Sequence, residues 1–317
     1  MAECCTVSVV NWKGGVGKTT LTHHLAVGLQ VMTEAEREEK LGMRRKPRVL
    51  LIDNDAQCNL TISCLGSDKF EKMVERGSGT MRELYATFLR DEDPDSDVEE
   101  FIVEGMVRKS KYENYEDIDV LSSHPDLIYT DMDFAIYSEP DFKKSMLGSN
   151  IYKFQVLDRI LERVRERYDF IFIDCPPSMH YLTQNSIYTS DYYLIPMLPD
   201  WLSTYGIHSI VTKVDELNRM FRLAEDGNYV ETELVGIVAN KVREYKEKPI
   251  QSQSAIINDL KEQHRDQVFA QYLTDGDGIS QASSMGVPVY AIAGSGGTAR
   301  KQSELLQEIL GEFLDKI

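Results

Sequence analysis

The sequence predicts an α/β fold in which a doubly wound, mostly parallel sheet is flanked by helices. Short apolar runs alternate with segments of helical periodicity, and this alternation is typical of parallel sheets. The central runs, such as 48–53 and 169–174, are continuous in Val, Ile, Leu and Phe, as strands covered on both faces require. The first run, at 7–10, leads directly into a glycine-rich turn that opens a helix.

Apolar runs of strand length predict the strands, at 6–11, 48–53, 118–121, 169–174, 192–198, 234–240 and 267–273. Between them lie amphipathic helices, of which 153–167 is the clearest. The final stretch, 304–317, is amphipathic as well, and we expect it to pack on the sheet as a helix.

The length suits one large α/β domain or two small ones, and we expect a single domain over 1–317 with insertions at about 31–47 and 90–117. No apolar run approaches the length of a membrane span, and the N-terminus lacks a signal-peptide layout. The five cysteines are odd in number and scattered without a CxxC pair. This usage favours a reducing cytoplasm and excludes a disulfide framework or a zinc site. The histidine pair His23-His24 is assigned to the helix that follows the turn rather than to a metal.

The glycine-rich loop, residues 13–20, reads Lys-Gly-Gly-Val-Gly-Lys-Thr-Thr. Gly14, Gly15 and Gly17 allow backbone N–H groups to close around phosphate groups. The helix that follows points its N-terminus, the positive end of its dipole, at the same anion.

The polar side chains of this loop suit a nucleoside triphosphate with Mg²⁺. Lys18 can reach the β- and γ-phosphates, the Thr19 hydroxyl can bind Mg²⁺, and Thr20 adds a hydroxyl near the α- and β-phosphates. Trp12 stands where the usual pattern has its first glycine, but the Gly-Gly-x-Gly-Lys-Thr core is present.

Three strand ends carry further polar residues. Asp53 ends the strand 48–53 and is placed to hold a water on Mg²⁺, while Asp55, in the following loop, can orient an attacking water. Asp174 follows four apolar residues, which is a Walker B arrangement for binding Mg²⁺ through water. Asn240 ends the strand 234–240, and its carboxamide suits either an adenine edge or a simple strand-end cap.

Residues 13–20 resemble the deviant Walker A loop of the ParA/MinD family of P-loop ATPases. Further segments are similar to family motifs, at 53–59, 174–178, 199–206 and 285–290. The resemblance covers most of the chain and implies a P-loop NTPase fold of the deviant Walker A type. Within 53–59, Ala56 stands where the family has proline. Because the first strand begins within the first ten residues, we expect no preceding helix-turn-helix domain.

The resemblance also implies the roles of individual residues. Lys13 matches the signature lysine, which reaches across a nucleotide-sandwich dimer to the phosphates of the partner. Asp55 matches the hydrolytic aspartate, and Asn240 matches the asparagine that contacts adenine. The implied ATP-binding set is Lys13, Gly14, Gly15, Val16, Gly17, Lys18, Thr19, Thr20 and Asn240. The implied metal set is Thr19, Asp53 and Asp174.

The function implied by this resemblance is that of a weak ATPase that forms a homodimer with ATP and Mg²⁺. Such proteins partition DNA, as in plasmid or chromosome segregation, or position a cytoplasmic cargo. A ParB-like or other small partner stimulates hydrolysis, and a cytoplasmic, nucleoid-associated location follows.

Charge bears on the surface that would meet DNA. The net charge of −17 disfavours polyanions unless basic residues are concentrated. Acidic residues occupy the loop 274–278, where relatives carry arginine. Two basic clusters remain as candidates for nonspecific DNA, one at 44–48 and one formed by Lys241, Arg243, Lys246 and Lys248.

Two alternatives remain open at this point. A MinD-like ATPase would bind a membrane surface through a basic terminal helix, but the polar face of 304–317 is acidic, so we expect no membrane partner. A ligase of the same superfamily would use the loop to activate a carboxylate as an acyl phosphate.

Overall fold

A computed structural model describes residues 4–77, 79–137 and 151–317. The strands, in chain order, are β1 Cys5–Val9, β2 Val49–Asp53, β3 Ile102–Val103, β4 Val107–Arg108, β5 Asn114–Tyr115, β6 Ile118–Leu121, β7 Phe170–Asp174, β8 Tyr192–Met197, β9 Glu233–Ala239, β10 Glu244–Tyr245 and β11 Lys248–Pro249. The helices are α1 Lys18–Val31, α2 Glu34–Leu41, α3 Asn59–Leu65, α4 Ser67–Arg76, α5 Met81–Arg90, α6 Thr130–Ile136, α7 Tyr152–Glu162, α8 Tyr181–Thr189, α9 Trp201–Ala224, α10 Gln251–His264, α11 Gly278–Ser284 and α12 Gly297–Leu314.

The central sheet has seven strands in the order β3-β6-β2-β7-β1-β8-β9. Every pair is parallel except β3–β6, which is antiparallel. The predicted doubly wound, mostly parallel α/β fold is therefore confirmed. Strands β2 and β7 are buried at all five positions, which explains why their sequences are apolar without alternation.

Each face of the sheet carries its own hydrophobic core. Helices α1, α3 and α12 cover one face, and α5, α7, α8 and α9 cover the other. On the first face, Phe313 of α12 packs on Phe172 of β7, with their ring centroids 6.0 Å apart. The prediction that the terminal amphipathic stretch packs on the sheet is therefore confirmed. In the described part of the chain, no helix combines the length and the apolar character that crossing a membrane needs.

The predicted strand at 267–273 is wrong. Val268 forms one isolated parallel bridge with Ile237, and Phe269 N–H donates to the Ile237 carbonyl. The next two amides, of Ala270 and Gln271, donate instead to the Glu312 carboxylate of α12. Because a side chain takes these donors, the segment runs beside β9 without continuing the ladder.

The two segments interpreted as insertions contain short elements of their own. Segment 31–47 holds α2, which begins with a capping box between Thr33 and Glu36. Segment 90–117 holds the unpredicted edge strand β3 and the β4–β5 hairpin. Two-residue strands lie below the length at which apolar patterning is informative.

Candidate functional site

The glycine-rich loop leaves β1 at the carboxyl edge of the sheet, between β7 and β8. Gly15 and Gly17 have φ angles of 74° and 100°, a region that favours glycine. A Cβ on Gly17 would also collide with Nδ2 of Asn240. Both the backbone twist and the close approach of Asn240 therefore require glycine at position 17.

Lys18 begins α1 and is only 7% exposed. Burial lowers the pKa of its ammonium group, while the nearby Asp174 and Asp55 carboxylates act in the opposite direction. A buried cation at the N-terminus of a helix suits an anion such as a phosphate, and the two nearby carboxylates suit a metal cation bound beside that anion.

Lys13 points away from this centre. Its Nζ lies 2.7 Å from Oδ2 of Asp200 and 3.3 Å from Oγ of Ser203, at the start of α9. The other carboxylate oxygen of Asp200 accepts the Ser203 N–H at 3.0 Å and caps that helix. The Lys13 side chain is 42% exposed, so its ammonium group lies at the surface of the protein, whereas Lys18 is buried.

Asp174 ends β7 beside the first turn of α1. The Thr19 hydroxyl donates to its Oδ2 at 2.6 Å, and its Oδ1 is buried without a partner among the described residues. Burial and the neighbouring Asp53 raise the pKa of the Asp174 carboxyl well above its usual range, against the effects of Thr19 and Lys18. An orphaned carboxylate oxygen next to a hydroxyl fits Mg²⁺ or a water bound to Mg²⁺.

Asp53 is fully buried and lies opposite Asp174 in the β2–β7 register. Its Oδ2 accepts both the N–H and the hydroxyl of Thr61, at 2.8 and 2.7 Å, which fixes α3 to the sheet. Burial raises the pKa of Asp53 to about 7 even though Thr61 stabilises the ionised form. Its Oδ1 has only a long contact, 3.4 Å, with the N–H of Asp55.

Across residues 4–77, 79–137 and 151–317, no cluster of three or more His, Cys, Asp or Glu side chains is arranged for a metal ion. Mg²⁺ characteristically keeps several waters and binds one or two carboxylates together with phosphate oxygens. The small set of Thr19, Asp53 and Asp174 fits this coordination preference and would supply part of the ligand shell of Mg²⁺.

Asp55 lies in the loop between β2 and α3, half-buried. Its Oδ1 accepts the Gln57 N–H at 3.0 Å, and its backbone carbonyl accepts the Ser123 hydroxyl at 2.7 Å. Burial raises the pKa of the Asp55 carboxyl, and the Gln57 N–H and Lys18 oppose that effect. The structure thus brings Asp53, Asp55, Asp174 and Lys18 to one edge of the sheet.

Sequence reasoning missed Asn54, which is fully buried between the two loop aspartates. Its Nδ2 donates to the Leu182 carbonyl and the Ser186 hydroxyl, and its Oδ1 accepts the Tyr85 hydroxyl. These bonds fix the loop that carries Asp55. A polar residue directly after a buried strand was the available signal.

Asn240 is 3% exposed and lies under the glycine-rich loop. Its Nδ2 donates to the Val16 carbonyl at 2.7 Å, and its Oδ1 accepts the Lys241 N–H at 2.8 Å. A carboxamide has two donors and two lone pairs, so one of each remains for a ligand. Its present contacts shape the loop, and the adenine role stays a prediction.

His24 joins α1 to the segment that follows α11. Its Nδ1 lies 2.8 Å from the Thr20 carbonyl, and its Nε2 lies 3.1 Å from the Val289 amide. An amide donates, so Nε2 accepts and Nδ1 carries the proton in a neutral ring. Burial lowers the pKa of His24 to about 4, against the Thr20 carbonyl.

We expect His24 to make the protein less stable in acid. Its pKa in the folded state lies below the ordinary 6.5, so the neutral form stabilises the fold above pH 6.5, and that contribution is lost as the pH falls towards 4. The difference in unfolding free energy between wild type and His24→Gln should therefore shrink by about 2 kcal/mol from pH 8 to pH 5. Urea titrations of both proteins at both pH values measure it, since other titrating groups cancel. A difference that does not change with pH would contradict the prediction.

The basic cluster 44–48 is largely paired with acidic residues. Arg45 holds Asp169 with two bonds of 2.6 and 2.7 Å, and Arg44 binds Glu38. The second cluster surrounds the β10–β11 hairpin, whose Glu244 pairs with Lys301. In the loop 274–278, Asp277 accepts bonds from Thr298 and Gln281. Acidic partners therefore offset the charge of Arg44 and Arg45 in the first cluster, which weakens it as a surface for DNA phosphates.

Comparison with known proteins places this geometry in a family. A model of the AAA domain family matches residues 4–224. Sporulation initiation inhibitor protein Soj from Bacillus subtilis (strain 168) is 26% identical over 283 residues, which are 89% of each chain.

Solved structures share the whole fold. A single-residue variant of McdA from Cyanothece, in complex with ATP, superposes with a TM-score of 0.72 at 18% identity, covering 99% of this chain and 98% of that one. A plasmid partition protein from Borrelia burgdorferi B31 bound to AMPPNP gives a TM-score of 0.65 at 18% identity, covering 99% and 100%. The sheet order, the glycine-rich loop and these matches agree, and the chain belongs to the AAA domain family, within the ParA/MinD group of deviant Walker A P-loop ATPases.

Proposed function

We propose that this protein is an ATP-driven dimerisation switch that partitions DNA or positions a cytoplasmic cargo. ATP with Mg²⁺ pairs two copies, and hydrolysis separates them. The observation that carries the proposal is that the two lysines of the loop have different surroundings. Lys18 is buried at the start of α1, while the Lys13 side chain is half-exposed and paired with Asp200.

The position of Lys13 supports a role in trans. A lysine that served its own nucleotide would be expected to lie with Lys18 beside Asp174. Lys13 instead binds Asp200, across the sheet edge on α9, in a half-exposed pair. Exposed pairs of this kind contribute only about 0–1 kcal/mol, so the phosphates of a second subunit can compete for this lysine.

Hydrolysis is assigned to the loop after β2. Asp55 orients the water that attacks the γ-phosphate, and Asn54 and Ser123 hold the backbone on either side of it. Thr19, Asp53 and Asp174 would hold Mg²⁺, and the ion would supply charge neutralisation at the phosphates. A ParB-like or other small partner would accelerate this step. The family resemblance and the plasmid partition protein among its structural neighbours support a partition or positioning role.

The test is ATP-dependent dimerisation of wild type and Lys13→Ala, measured by light scattering with Mg²⁺ and a non-hydrolysable ATP analogue. We expect wild type to dimerise and Lys13→Ala to remain monomeric while still binding nucleotide. Lys213→Ala, which removes a surface lysine of α9, is the matched control and should dimerise normally. Unchanged dimerisation of Lys13→Ala would exclude the trans role.

Two further measurements separate the alternatives. ATPase rates with and without nonspecific DNA test the DNA surface, and turnover that ignores DNA, with no retention on DNA, points to another cargo. Sedimentation with anionic vesicles and ATP tests the MinD-like alternative. ATP consumption that depends on a small carboxylic acid would favour the ligase.

A further inference from the structure

A polar cleft of about 550 Å³ lies beside the first turn of α1, outside the carboxylate cluster. Its walls come from α1, α3, the α3–α4 junction and the turn after α11. Hydroxyl groups dominate the lining, with Thr20, Ser63, Ser67 and Ser283 among them. No acidic side chain lines it in the described structure, although the chain carries 52 acidic residues.

Arg108 is the cation of this cleft, and it comes from the second insertion. It lies in the β4–β5 hairpin, and its guanidinium fits against Gly66 and Gly286. A Cβ on Gly286 would lie 2.8 Å from Nη1, and one on Gly66 would collide with the same group. Both glycines also have positive φ angles, 82° at Gly66 and 66° at Gly286. The bare backbone at these two positions leaves room for the guanidinium.

The guanidinium of Arg108 has no hydrogen-bond acceptor or ion-pair partner among residues 4–77, 79–137 and 151–317. Other buried or half-buried arginines of the chain, such as Arg37 and Arg165, hold an oxygen. A guanidinium presents five donors, and leaving them unmatched in a partly enclosed space is unfavourable.

Two further groups of the cleft are unsatisfied. His23 is 4% exposed and lines the cleft, and its Nε2 is buried without a partner in the described structure. Gly66 and Ser67 begin α4, which has no side-chain cap, so the positive end of a ten-residue helix faces the same space. Arginine, hydroxyls and a helix N-terminus together match an oxyanion.

We propose that this cleft binds a phosphate-class oxyanion, with Arg108 as its principal ligand. Thr19 and Thr20 also line the cleft, so it adjoins the glycine-rich loop, but Lys18 and Asp174 are not among its lining residues. The proposed anion is a phosphate group of a separate small molecule, bound whether or not the glycine-rich loop holds a nucleotide.

Calorimetric titration with inorganic phosphate tests whether this anion is separate from the nucleotide. The titration is made at constant ionic strength, first on the free protein and then on protein saturated with Mg²⁺ and AMPPNP. We expect one phosphate to bind in both states, and Arg108→Gln to weaken that binding about tenfold or more because a charge-assisted, two-pronged contact is lost. Lys109→Gln, which removes the neighbouring exposed charge of the same hairpin, should bind phosphate as wild type does.

Three outcomes would overturn the proposal. Phosphate binding that disappears once AMPPNP is bound assigns the anion to the nucleotide site. Equal affinity of Arg108→Gln and wild type removes Arg108 from the site. Absence of any phosphate binding to wild type leaves the cleft without this ligand.

Because Arg108 packs against two backbone turns, its replacement tests the fold as well as the site, and thermal unfolding of each variant is therefore recorded alongside. Arg108→Lys retains the charge but loses the planar guanidinium and its paired donors, so we expect it to bind phosphate with intermediate affinity. Binding of AMPPNP by all three variants should match wild type, which keeps the result separate from the ATPase proposal.

Discussion

Asp55→Ala is expected to lower the rate of ATP hydrolysis about 100-fold or more while leaving ATP binding in place. A positioned carboxylate that accepts or orients the attacking water contributes about 10²–10⁴ in rate, and the structure offers Asp55 for that role next to Lys18. The variant should therefore accumulate as the ATP-bound dimer. Single-turnover phosphate release measures the chemistry, and light scattering with ATP measures the trapped dimer.

Asp215→Ala is the matched control for this experiment, because Asp215 is an exposed acid on α9. It should hydrolyse ATP at the wild-type rate. If Asp55→Ala hydrolysed ATP normally, the catalytic assignment of the loop after β2 would be wrong. Loss of ATP binding in the same variant would instead assign Asp55 to the nucleotide pocket.

Lys18→Ala is expected to abolish nucleotide binding at millimolar ATP. Hydrogen bonds from a charged donor contribute about 1.5–3 kcal/mol each, so losing contacts to two phosphate oxygens weakens affinity about 100-fold or more. Thermal unfolding with and without Mg²⁺–ATP provides the readout. A ligand at about 100 times its Kd stabilises the folded state by about 2.7 kcal/mol, and that increment should vanish in the variant.

The fold of Lys18→Ala should survive in the absence of nucleotide. Burial lowers the pKa of the Lys18 ammonium group, so removing this group relieves its desolvation cost. The same removal leaves the repulsion between the Asp174 and Asp55 carboxylates without a compensating cation. If ATP stabilised Lys18→Ala as much as it stabilises wild type, the triphosphate would not lie in the glycine-rich loop.

The sequence predicted the fold well where the signal was local. Six predicted strands lie in the central sheet, because each is a short, mainly apolar run. The failures were tertiary. Segment 267–273 has a strand-like composition, but Glu312, about forty residues further on, takes two of its amides. The two residues of β3 pair at the sheet edge, but no hydropathy pattern in the sequence predicts a strand there.

For the candidate site too, the sequence predicted the local features but not the tertiary contacts. Residues 13–20, Asp53, Asp55 and Asp174 lie where the motif and strand ends predicted, and their chemical roles stay predictions. The partner of Lys13 is 187 positions away, and the surroundings of Arg108 come from three distant segments. Spacing along a chain carries no information about such contacts, so only the folded structure shows them.

The ion pair between Lys13 and Asp200 adds a free-energy cost to the proposed dimerisation. In the proposed dimer each subunit gives up one such bridge, and two half-exposed pairs together amount to at most about 2 kcal/mol. That sum raises the protein concentration needed for half-maximal pairing by up to about 30-fold. Release leaves no defect behind, because Oδ1 of Asp200 caps α9 independently of the oxygen that held the lysine. In the proposed dimer, breaking the Lys13–Asp200 pair is thus a small cost that contacts between Lys13 and phosphate oxygens can offset.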